Sequence, residues 1–123
     1  MLRQTLNGIT EATADHRHGN MRSARETAKH LCECYLMLAH RVEGKEYEWG
    51  SFQPQAATWD DLQEEMFALR KSATDMALAT NDDEMLWRLH EFVAGHDQYH
   101  VGQLCALRLD IQPDWDYYSI YRE

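Results

Sequence analysis

Three stretches of this chain repeat apolar residues every three to four positions, and neither of its two prolines falls inside any of them. That period is the signature of helices with one buried stripe, and proline would break them. The first stretch runs from about Arg22 to Glu43, with Leu31, Tyr35, Leu38 and Val42 on its stripe and Gly44 closing it. Ser23 with Glu26 three residues on reads as a capping box. The second begins at Thr58, again boxed with Asp61, and carries Trp59, Leu62, Met66, Leu69, Ala73, Met76 and Ala77. Phe67 lies off that stripe and marks a candidate interface. The third starts at Asn81 or Asp82 and runs to about Asp110, where Gln112-Pro113-Asp114 ends it. Met1 to Asn7 has room for two helical turns before Gly8. Residues 45–57 read as a loop, with Trp49 and Phe52 folding back as a lid. No alternating β pattern competes, so the expected fold class is all-α, a small helical bundle.

A chain of 123 residues fits one domain, 1–123, on the usual size range. Its 12 basic and 21 acidic residues give a formal charge of −9, which argues against nucleic acid and against an anionic membrane surface as partner. No apolar run approaches transmembrane length, and the N-terminal segment lacks the apolar core of a signal peptide. Three cysteines, an odd count, fit a disulfide framework poorly. A cytoplasmic location is the expectation.

The seven histidines carry the functional signal. His96 and His100 sit about 40° apart on one helix face, which also carries Leu86, Leu89, Phe92, Val93, Leu104 and Leu107. A single buried histidine is ordinary. Two at i, i+4 in an apolar stripe leave two polar rings to satisfy, at roughly 1–3 kcal/mol each if unpaired. One metal ion would satisfy both. The spacing alone leaves metal and hydrogen-bonded core histidines equally open. A third ligand has to come from elsewhere, and His30 on the first long helix is best placed, on the same helix line as Cys34 and Met37. His40 is on the more exposed side, His90 faces away from His96, and His16 and His18 lie in a polar loop. Three histidines leave an open coordination position, as in catalytic zinc sites, and imidazole also suits nickel, iron or copper.

Other residues have two readings each. Cys34 is either a sulfur near the metal or a small buried hydrophobe, and Cys32 points to nearly the opposite side. Cys105 reads as structural. Asp97 reads as an exposed group or one that orients a neighbouring imidazole. Tyr99 and Gln103 are candidate site-lining groups. Gly95, Gly102 and Ala106 share one line, a pattern that accompanies close helix contact inside the bundle or across a dimer.

The segment Arg22-Ser23-Ala24-Arg25-Glu26-Thr27-Ala28-Lys29-His30-Leu31 and the segment Gly95-His96-Asp97-Gln98-Tyr99-His100-Val101-Gly102-Gln103-Leu104, followed by Leu107-Arg108, resemble the two histidine motifs of the DinB/YfiT-like metalloenzyme family. Arg70 also stands where that family often has arginine. The similarity spans roughly residues 5–110. It implies a four-helix bundle of up-down-down-up connectivity, a divalent metal on His30, His96 and His100 completed by water, and frequent homodimers. Zinc or nickel is the expected ion, then iron or manganese. Known chemistry in the family includes transferases and isomerases that use low-molecular-weight thiols, and related domains serve ergothioneine biosynthesis. Two departures stand out. The first helix, about seven turns in the family, is shortened here, so that either the start is truncated or a neighbouring subunit covers the exposed groove, and Met21 lies near a position where tryptophan is common.

The function expected is thus a divalent-metal-binding protein acting as a metal-dependent enzyme by thiol or water activation, resembling a thiol S-transferase. Its partners are a small-molecule substrate and a second copy of the chain, with no nucleic acid and no membrane. The alternatives are a non-catalytic or stress-related metal binder, and a bundle of buried histidines without metal.

Overall fold

A computed structural model describes residues 1–122. Its regular elements are helical: α1 (Leu2–Leu6), α2 (Ala24–Val42), α3 (Trp59–Ala79), α4 (Asp83–Leu89), a π-helical segment (His90–Gly95), α5 (His96–Ile111) and a terminal 3-10 turn (Tyr117–Tyr121). No strand occurs among the described residues.

The start of α2 is set by the capping box read from the sequence. Ser23 Oγ accepts from the Glu26 amide at 3.1 Å, and the Glu26 carboxylate accepts from the Ser23 amide. Two otherwise orphaned donors are thereby satisfied. At α3, Thr58 Oγ accepts from the Asp61 amide at 3.2 Å, but no reciprocal bond returns from Asp61. Only half of the second box forms, because the aspartate side chain is one methylene shorter than the glutamate the motif uses.

Side-chain bonds fix the helix directions. The Glu11 carboxylate accepts from the Trp59 amide at the start of α3 and from Arg25 near the start of α2. Both N-termini therefore lie at one end of the bundle, so α2 and α3 run parallel, and residues 43–58 form the crossover that parallel neighbours require. Arg108 near the end of α5 donates to carbonyls of α1, while the His16 and His18 rings just before α2 meet Asp110. Thus α5 runs against α2. Arg70, midway along α3, reaches Asp97 at the start of α5. The order is up-down-down-up, with a first helix cut to five residues.

The core is largely the predicted one. Leu31, Tyr35, Leu38, Trp59, Leu62, Met66, Ala73, Ala77, Leu104 and Leu107 are buried, while Val42, Leu69 and Met76 are half-buried. The third long helix departs from expectation. It is broken by the π segment, α4 buries no residue, and Leu86 is 39% exposed. A π bulge inserts one residue and turns the stripe by about 100°. Leu86 therefore leaves the face that Val93, Leu104 and Leu107 keep. Phe67 is not an open interface either, since the Arg3 guanidinium lies 3.9 Å from its ring centroid. The surface beside α1 is partly covered by the chain's own end, where Ile120 of the 3-10 turn is buried.

Arg108 locks α1 in place. Its Nη1 donates to the Gln4 and Thr5 carbonyls at 2.8 and 3.2 Å, its Nε donates to Gln112, and its guanidinium lies 3.9 Å from the Trp115 ring centroid. A β-carbon on Gly8 would overlap that guanidinium. With Arg108 held on four sides, Gly8→Ala is expected to destabilise the protein by roughly 2 kcal/mol through overpacking. Urea unfolding tests this, and an unchanged midpoint would show that Arg108 moves aside freely.

Candidate metal centre

The α2 and α5 helices bring three of the seven histidines together. His96 Nε2 lies 3.3 Å from His30 Nε2 and 3.1 Å from His100 Nε2. The ring centroids of the three are 4.5 to 5.1 Å apart, edge to face. His30 and His96 are half-buried, so water reaches the cluster, and His100 is buried. The contacts exceed what hydrogen bonding alone can supply. An imidazole nitrogen carries one in-plane proton or one in-plane lone pair. His96 Nε2 therefore serves one neighbour well, yet it faces two. A cation facing these lone pairs would resolve this, and neutral imidazole is the form that ligates. Burial holds all three rings toward that form. It lowers the His30 and His96 pKa values and brings His100 down to about 4, with the nearby Arg22 charge acting in the same direction.

Cys34, one turn beyond His30, adds a sulfur. Its Sγ lies 3.8 Å from His30 Nε2, and one donor atom from each of His30, Cys34 and His96 fits within 4.8 Å of the others. This group could bind a divalent metal, and its nitrogen and sulfur donors match that class of ion. Burial pushes the Cys34 thiol up to about 12.

Behind the histidines lies a carboxylate that joins three helices. Asp97 is 4% exposed. Its Oδ1 accepts from the Tyr35 hydroxyl of α2 at 2.5 Å, and its Oδ2 accepts from Arg70 Nε of α3 at 2.7 Å. Burial and the Asp97 charge raise the Tyr35 pKa, so its hydroxyl stays a donor. Burial opposes the charge on Arg70, but the Asp97 bond and the Asp97 charge together outweigh it and raise that pKa. Asp97 is thus buried rather than exposed, and it bonds to α2 and α3 rather than to an imidazole. The Nδ1 atoms of His96 and His100 have no hydrogen-bond partner. Tyr35 was legible only as a stripe residue, because its apolar ring fills the core while its hydroxyl does the polar work. Arg70 and an aspartate next to His96 were the available signals for the pair.

The remaining candidates fall elsewhere. His16 and His18 are not freely solvated, since both contact Asp110, at 3.4 and 2.7 Å. His40 Nδ1 bonds the Leu36 carbonyl, and His90 is exposed beside Trp87. Tyr99 is 62% exposed, with its ring 5.0 Å from His100 and its hydroxyl accepting from Gln103, at the edge of the cluster. Cys32 is buried in the core on the other side of α2. Gly102 faces open space within the chain, so no contact inside this bundle explains it. Of the expected lid, Phe52 packs on the core while Trp49 stays 53% exposed.

Fold and site together define the class: a helical bundle in which α2 and α3 run parallel, α5 runs against them, and histidines face each other across α2 and α5 in a group that could bind a divalent metal. The sequence profile of the DinB superfamily matches residues 1–104, and the chain belongs to that superfamily. Neither a curated protein nor a solved structure matches it. No described helix is long and apolar enough to cross a membrane.

Proposed function

We propose that His30, His96 and His100 hold a divalent transition metal, zinc or nickel first and iron or manganese next, in an enzyme that activates a thiol or water. The observation that carries this reading is the pair of Nε2 contacts made by His96, which hydrogen bonds cannot both satisfy. An ion there would supply Lewis acidity, bringing the pKa of a thiol or water near neutrality. The chain's own groups do the rest. Tyr35, Asp97 and Arg70 fix α5 against α2 and α3, and so hold His96 and His100 opposite His30. The half-exposure of His30 and His96 leaves an approach for substrate. The reaction is thiol S-transferase-like, its small-molecule partner a low-molecular-weight thiol and its location the cytoplasm.

A second reading has its own support. Cys34 as fourth donor would close the shell and leave a non-catalytic metal binder. A homodimer belongs to both readings, because Gly102 and Tyr99 face outward, and a monomer by light scattering at micromolar concentration would contradict it. Thiol transfer to an electrophile by zinc-loaded protein and by His96→Ala decides the main question. The enzyme reading expects the variant to lose the zinc-dependent rate, and equal rates would sink it. Stoichiometric zinc without any transfer would leave the second reading.

A further inference from the structure

Further along α2, beyond the histidines, lies a cavity. His30, Cys34, Met37 and Arg41 follow one another at steps of four, three and four, which return to one line of a helix. Met37 and Arg41 line a cavity of about 430 Å³, with Tyr47 and Trp49 from the crossover loop and Phe92 from the π segment. Phe92 precedes His96 by four residues, so both walls of the cavity lead back to the cluster. Arg41 stands about 16 Å from His30 along the helix axis.

The rim carries opposite charges that do not meet. Lys45 is paired with Glu43 at 2.7 Å. Arg41 and Glu46 both line the cavity and are exposed, and neither has a salt-bridge partner among the described residues. Apolar walls below two unpaired charges of opposite sign fit a ligand end that carries both an anion and a cation.

We propose that this cavity binds the zwitterionic amino-acid end of an elongated substrate, its carboxylate on Arg41, its ammonium on Glu46 and its stem along Met37 and Phe92. The reactive end of that substrate then lies toward the histidines, a placement that rests on the metal reading above, whereas the cavity does not. Tyr47 also lines this cavity. Its hydroxyl is buried without a hydrogen-bond partner, and the nearby Ser51 hydroxyl is given to the Glu48 carbonyl.

The test is titration of the full, zinc-loaded chain with S-methylglutathione, which has a zwitterionic γ-glutamyl end and no free thiol. The readout is the indole N–H resonance of Trp49, assigned with Trp49→Phe. The resonance is expected to move in a saturable way. Arg41→Gln and Glu46→Gln, both at exposed positions, should each weaken binding by about five- to tenfold, as loss of a charge-assisted bond does. N-acetylation of the probe should weaken it likewise and make Glu46→Gln silent. A Trp49 resonance that stays put, or equal affinity in wild type and both variants, overturns the proposal. Because the probe has no thiol, its binding is independent of thiol activation. Binding with intact sensitivity to Arg41 and Glu46 but no zinc-dependent transfer would count against the metal enzyme alone.

Discussion

Asp97→Ala is expected to lower the unfolding free energy by about 3 kcal/mol, which for a chain of this size is a drop of roughly 10 °C in melting temperature. The side chain of Asp97 is 6% exposed and that of Arg70 39% exposed. Removing the carboxylate strands the Tyr35 hydroxyl in the core, which costs on the order of 1–3 kcal/mol. Arg70 loses its partner too, but it can turn toward water, so the effect falls at the low end for a broken buried pair. Asp97→Asn keeps a hydrogen-bond acceptor for Tyr35 and gives up the charge facing Arg70, so about half the loss is expected. Thermal unfolding of both variants reads the difference. Losses under about 0.5 kcal/mol for Asp97→Ala would mean that the three-helix junction behind the histidines is not what holds α5.

The second large effect is at the cluster itself. His96→Ala is expected to weaken zinc binding by at least about a hundredfold, since even residues behind the ligands commonly contribute ten- to a hundredfold. His96 is half-buried and its ring nitrogens meet only the His30 and His100 rings, so the metal-free fold should change far less than zinc binding does. The two consequences separate cleanly. Zinc at about a hundred times the wild-type dissociation constant should stabilise the wild type by roughly 2.7 kcal/mol and the variant by no more than about 0.4 kcal/mol. Thermal shifts with and without zinc measure this, and equal zinc-induced shifts would show that the ion binds elsewhere.

Much of this arrangement is legible in the sequence. Ser23 and Glu26 announced the start of α2, and the long apolar stripes announced α2 and α3, because capping and periodicity are local properties. His96 and His100 share a face for the same reason, and the structure brings His30 opposite them. The break at His90–Gly95 was not legible, since nothing in the local apolar pattern of those residues marks a π bulge. That break took Leu86 out of the expected stripe. The Tyr35–Asp97–Arg70 junction joins positions 62 and 27 residues apart, a pairing that local pattern does not carry. Phe67 looked unpartnered because the stub of α1 gave no sign that Arg3 would reach it. The link from His16 and His18 to Asp110 is another long-range contact, spanning 94 and 92 residues.

The central claim is that three imidazoles, one from α2 and two from α5, ligate a single ion. X-ray absorption at the zinc edge of the stoichiometrically loaded protein tests it most directly. The account predicts three nitrogen neighbours near 2.0–2.1 Å with imidazole scattering, completed by a light atom or by the Cys34 sulfur near 2.3 Å. A shell dominated by carboxylate oxygens, or one unchanged in a His30→Ala, His96→Ala double variant, would contradict it.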